Sequence, residues 1–132
     1  MVPGIESRLA SLDAHPGPAV ERFDAGSAMA GRLAFLPSAF NPPTVAHLHL
    51  LEAALHVDGV TRVAAMLTTR NVAKGVVGAS LADRVSMLLA LHREQPSIAV
   101  VAANAARIID QAQALSVRFD GLGVDVIVGF DT

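Results

Sequence analysis

A chain of 132 residues with 52% hydrophobic and 17% charged residues and a mean hydropathy of +0.48 has the composition of one domain with a sizeable core, which excludes intrinsic disorder. Ten Lys+Arg against twelve Asp+Glu give a formal charge of −2, and Tyr and Trp are absent, so neither a broad positive field nor stacking platforms support nucleic-acid binding. There is no cysteine, no uncharged apolar run near the roughly 18 to 20 residues of a bilayer span, and no basic-then-apolar leader; a cytoplasmic protein without disulfides, thiolate chemistry or membrane attachment is expected.

In chain order, residues 1–31 read as an N-terminal helical arm, with short helices at 5–12 and 19–23 separated by His15-Pro16-Gly17-Pro18. A second unit, 32–132, is more regular. Leu33 to Leu36 is a short apolar run of buried-strand type, stopped by Pro37 and Ser38. After Pro42-Pro43, residues 44–56 have helical length, with Leu48, Leu51 and Leu55 on one face and Asp58-Gly59 as the stop. The cycle repeats: a strand at 61–67, a loop at 68–79, and a helix at 80–92 capped by Ser80. A third strand follows at 98–102, then a helix at 104–117 with Ile108, Ile109, Ala112 and Leu115 toward the core, and a fourth strand at 124–128.

Apolar strands alternating with helices of about a dozen residues predict an α/β fold: an open parallel sheet of Rossmann-like topology with helices on both faces. Ligands in such sheets bind beyond the carboxyl ends of the strands. Candidate chemistry is therefore expected at 37–47, 68–78, Asn104 and 129–132.

Within the first of these, the chain passes from a strand end through a rigid double-proline turn into a helix start, where unpaired N–H groups attract anions. Thr44 is placed to cap that helix and His47 to offer an imidazole N–H one turn later. His49 and His56 point roughly 180° from His47 at about 100° per residue, which excludes a histidine metal cluster on this helix. His15, His49, His56 and His92 have no partner at catalytic spacing and are expected to face solvent. Arg84 reads as a helix-surface or structural charge, and Arg70 as a solvated one. The glycines of Gly75-Val76-Val77-Gly78 form neither GxGxxG nor a Walker loop, and Ser38 is in no Gly-x-Ser-x-Gly elbow.

The segment Phe40-Asn41-Pro42-Pro43-Thr44-Val45-Ala46-His47-Leu48 resembles the signature of the nucleotidylyltransferase superfamily, the HxGH-type fold, in the form most similar to nicotinamide mononucleotide adenylyltransferases. Thr in the first position of the motif also occurs in phosphopantetheine adenylyltransferases. Lys74-Gly75, Arg84 and Val128-Gly129-Phe130-Asp131 agree in order, so the resemblance spans about 32–132. It departs from the family in two places. Pro37-Ser38-Ala39 stands where glycines usually open the loop, and the family's later Ile-Ser-Ser/Thr-x-x-Arg motif is absent, so a chain cut off after the fourth strand is expected.

The resemblance implies adenylyl transfer from ATP to a mononucleotide phosphate, with release of pyrophosphate, in NAD biosynthesis. Positioning and charge stabilisation carry such a reaction, each well-placed donor contributing about 3 to 4 kcal/mol. His47 and Thr44 would hold the ATP phosphates, with Ser38, Ala39, Phe40 and Asn41 lining the same cradle. Lys74 would meet the mononucleotide phosphate, Gly129 would permit close ligand approach, and Asp131 would accept hydrogen bonds from a ribose or amide. Mg2+ would arrive with ATP and needs no protein ligand set. The partners implied are small nucleotides. The alternative is a truncated or non-catalytic nucleotide binder, or an enzyme that adenylylates phosphopantetheine, whose open fourth strand invites association with another copy.

Overall fold

A computed structural model describes residues 4–70 and 78–129. Along the chain run α1 (Ile5–Ala14), β1 (Val20–Arg22), β2 (Arg32–Pro37), α2 (Val45–Leu55), β3 (Arg62–Thr68), α3 (Leu81–Glu94), β4 (Ile98–Ala103), α4 (Ile108–Arg118) and β5 (Gly123–Val126). The strands form one five-stranded sheet in the order β1-β4-β3-β2-β5. β2 through β5 are parallel and β1 is antiparallel to β4.

The central strands lack polar/apolar alternation because both of their faces are covered. Leu36, Val63, Leu67, Ile98 and Val100 point to a core shared with α1, α2 and α3. Leu33, Phe35, Met66, Val101 and Ala103 point to a second core closed by Ala114 and Leu115 of α4. This distribution of helices follows from connection handedness. From β2 to β4 the chain steps one way across the sheet with α2 and α3 on one face; from β4 to β5 it reverses direction. A crossover of the same hand then requires α4 on the opposite face. The reversal sets β2 beside β5, so the loops leaving them flank a crevice at the carboxyl edge.

Several local expectations are corrected. Residues 19–23 are not helical: β1 is a strand, because Val20 and Phe23 bury against different cores and the ladder to β4 satisfies the backbone. α4 begins at Ile108 rather than 104, and its buried residues are Gln111, Ala114 and Leu115, whereas Ile108 and Ile109 are exposed. Gln111 turns inward instead and donates from Nε2 to the Ala105 carbonyl at 2.8 Å. Nor does His92 face solvent. Its Nδ1 lies 2.7 Å from the Ile98 carbonyl, the acceptor of that contact, and its Nε2 lies 3.8 Å from the buried Asp24 carboxylate. On α2, Leu51 is buried and Leu48 and Leu55 pack partly buried on the same core, as their spacing predicts.

Candidate functional site

The site grows out of how α2 starts. Thr44 is its N-cap, and its side chain accepts from the His47 backbone N–H at 3.4 Å, while the Thr44 N–H donates to His47 Nδ1 at 3.0 Å. This is a reciprocal capping box with an imidazole where Glu or Gln is usual. The Val45 and Ala46 amides, in the first turn, have no intrahelical acceptor, and both residues are exposed.

Ser38 Oγ lies 3.0 Å from His47 Nε2, the spacing of a hydroxyl nucleophile and its base. The proton is on the wrong nitrogen for that role. A backbone N–H can only donate, so Nδ1 is unprotonated and the neutral imidazole carries its hydrogen on Nε2. His47 therefore donates to Ser38 and cannot take its proton. Burial holds the His47 imidazole below its ordinary value, so the ring is neutral at pH 7. The arrangement presents a fixed, uncharged N–H donor with the Ser38 hydroxyl hydrogen beside it, while the Thr44 hydroxyl donates back to Nδ1 at 3.1 Å.

Below the imidazole the Phe40 ring lies 4.6 Å away, tilted 46°. Phe40 has φ 47°, a left-handed conformation that costs a non-glycine residue about 1 to 3 kcal/mol. Its ring is 1% exposed, and burying such a side chain contributes about 1.5 to 3 kcal/mol in return. Phe40 is thus buried whole against His47. The Asn41–Pro42 peptide is cis.

The loop is clamped from α3. Arg84 is buried and donates from Nη1 to the Ala39 carbonyl at 2.9 Å and from Nε to the Ala79 carbonyl at 3.2 Å. Asn41 Oδ1 accepts from the Ala79 N–H at 3.2 Å, and a Cβ added to Gly78 would stand 2.5 Å from that oxygen. Gly78, with φ 126°, is required there both sterically and conformationally. Arg84 is therefore structural, as one of its two expected readings had it, but interior. The signal for its burial is helical spacing, which sets Arg84 on one face with Leu81, Leu88 and Leu91.

The structure gathers Ser38, Ala39, Phe40, Asn41, Thr44 and His47 into one loop and helix start beyond β2. Gly129 follows β5 on the same side of the sheet. Lys74 and Asp131 lie outside the described residues. Asn104 is removed from the candidates. It is buried, donating from Nδ2 to the Leu12 and Gly17 carbonyls at 3.1 and 2.9 Å, and its Oδ1 accepts from the Ala19 N–H at 2.7 Å. It ties the first helix to β4 and offers no free group. Arg70 is committed to Asp13, with Nε 2.9 Å from Oδ1. Among the described residues no group of three or more His, Asp or Glu could hold a metal ion, and no helix is long and apolar enough to cross a membrane. No protein-family model matches this chain, and no curated protein matches it.

Proposed function

We propose that the chain is a nucleotidyl-transfer domain that takes MgATP and a mononucleotide, such as nicotinamide mononucleotide, into the crevice beside β2. The mononucleotide phosphate oxygen attacks the α-phosphorus, the bond to the β-phosphate oxygen breaks, and pyrophosphate leaves with Mg2+. One observation carries the reading. A neutral imidazole with its proton fixed on Nε2 stands at the open N-terminus of α2, where the strand order reverses.

An uncharged N–H donor suits a polyphosphate that already carries Mg2+, because it stabilises charge developing in the transition state without binding the ground state too tightly. On ligand entry the Nε2–H exchanges its Ser38 acceptor for a phosphate oxygen, and the Val45 and Ala46 amides and Thr44 hydroxyl take the rest of the chain of phosphates. Ser38 holds the ring until then. By resemblance Lys74 neutralises the acceptor phosphate, and Asp131 and Gly129 border the nucleoside.

A second reading, nucleotide binding without transfer, is favoured by one fact: both His47 nitrogens are already occupied within the protein. Incubation with MgATP and nicotinamide mononucleotide, nicotinate mononucleotide or phosphopantetheine, with pyrophosphate release as the readout, separates the two. Release abolished in His47→Ala supports transfer. ATP binding without release from any acceptor supports the binder, and no ATP binding at all refutes both.

A further inference from the structure

A well-formed concavity lies away from the His47 loop. It is a cleft of about 670 Å3 between α1, α4 and the outer edge of β1, bordered among others by Leu12, His15, Val20, Ala114, Val117 and Arg118. Its volume lies within the ~300 to 1,000 Å3 of ligand sites, and its surface is mainly apolar.

Its floor is an unpaired strand edge. Among the described residues β1 ends the sheet, paired only to β4. The ladder shows which groups remain available: the Phe23 N–H donates to the Val100 carbonyl, the Asn104 N–H donates to the Ala19 carbonyl, and Glu21 is opposite Ala102. Residues 19, 21 and 23 therefore turn their main chain toward β4, and Val20 and Arg22 turn theirs outward. The Arg22 carbonyl accepts from Arg8 Nη2. The Val20 N–H and carbonyl and the Arg22 N–H are left on this outer edge with no partner among the described residues, and Val20 lines the cleft.

The walls lie one on each face of the sheet, α1 beside Glu21 and α4 beside Val20. On α4, Val117 is 83% exposed, although it borders an apolar cleft. The charges are also unequal. Arg8 is matched by Glu21 at 2.7 Å, whereas Arg118 stacks on Phe119 at 4.7 Å and has no carboxylate partner among the described residues.

We infer that this cleft docks an extended acidic peptide segment of a partner protein, which adds to the outer edge of β1 as a further strand. The outward Val20 and Arg22 groups supply backbone hydrogen bonds. Alternate side chains of the segment fall on Val117 and Ala114 to one side and Leu12 to the other, and its carboxylate meets Arg118. From Ser7 to His15 the α1 wall spans ~12 Å at ~1.5 Å per residue, which matches about four extended residues at ~3.3 Å each. So short a ladder gives a weak, reversible complex, with Kd on the order of 100 μM.

The test is amide NMR of the whole chain titrated with a pool of acetylated hexapeptides that alternate Val or Ile with Thr and end in Asp, against the same pool N-methylated at two central positions. The expected result is saturable shifts at the Val20 and Arg22 amides, weakened at least tenfold by N-methylation and by Val117→Glu, and several-fold by Arg118→Glu. The variants must keep the wild-type circular dichroism, as exposed substitutions on α4 should. No shift at those amides up to millimolar peptide overturns the inference, and so does equal binding of the N-methylated pool. Two further outcomes overturn it in favour of another occupant: the same shifts with decanoate alone, or a self-association in sedimentation that Val117→Glu abolishes. None of these readouts depends on the nucleotide chemistry at His47.

Discussion

Replacing Asp24 by Asn changes one oxygen to an amide and should cost about 3 to 4 kcal/mol. The carboxylate is buried, with Oδ1 accepting from the Val100 N–H at 2.8 Å and Oδ2 accepting from Arg22 Nη2 at 2.8 Å and the Gly26 N–H at 3.1 Å. An Asn can keep the first bond, but its NH2 then faces two donors, and the largely buried Arg22 guanidinium loses its counter-charge. Bonds to charged groups are worth about 1.5 to 3 kcal/mol each, and breaking one half of a buried pair costs about 3 to 5 kcal/mol. The chain has no Trp or Tyr, so the assay is urea unfolding followed by far-ultraviolet circular dichroism. With a slope of about 1.5 kcal/mol per molar urea, the midpoint should fall by roughly 2 M or slightly more. The pH dependence adds a second constraint. Burial pushes the Asp24 carboxyl up, but the Arg22 guanidinium and the Val100 and Gly26 amides outweigh it and leave it below the ordinary carboxylate value. Its contribution is therefore complete above pH 5 and lost as pH falls below about 4 through the depressed value, so the gap between wild type and Asp24→Asn should be constant near neutrality and close in acid. A variant within 1 kcal/mol of wild type at pH 7, or a gap that does not narrow as pH falls below about 4, would refute the reasoning.

Three more expectations concern the loop and the arm. Because burial depresses the His47 value, the folded state prefers the neutral ring; protonation on Nδ1 breaks the Thr44 bond, so loop stability is intact above the ordinary His value near 6.5 and falls at lower pH. Imidazole NMR shifts should report an Nε2–H tautomer at pH 7.5, and finding the Nδ1–H form there would contradict the assignment. Arg84→Met orphans the Ala39 and Ala79 carbonyls and should destabilise by about 2 to 3 kcal/mol, with faster amide exchange across residues 38–41 as its local signature. Asn104→Ala removes the bonds to Leu12, Gly17 and Ala19 and should cost about 2 to 4 kcal/mol; limited proteolysis should then cut first within residues 14–19.

The parallel sheet was legible because buried strands leave a distinct trace: Leu33 to Leu36 and residues 98–102 are uninterrupted apolar runs between turn residues, and no helix of that length would be stable alone. β1 was not, since three residues beginning with Val20 carry no period and only the distant β4 makes them a strand. In the site, Thr44 and His47 could be placed by helix spacing, and the capping box is readable in Thr-x-x-His once imidazole is admitted as the reciprocal partner. The Ser38 contact could not be foreseen, because it depends on how the chain turns between residues 38 and 44. Asn104 misled for an instructive reason: the carboxyl end of a strand holds ligands in this architecture, yet here that position is filled by the chain's own first helix.

The pairing of β1 with β4 joins Val20 to Ala103, across most of the chain. A contact that closes so long a loop cannot reward the chain until the intervening strands are in place, so the first helix and its strand should dock late, after the barrier to folding has been crossed. Interactions made after the barrier slow only the reverse journey. Weakening the Asn104 knot should therefore accelerate unfolding while leaving the refolding rate almost unchanged, which makes the amino-terminal segment a lock on the lifetime of the native state rather than a guide to its formation.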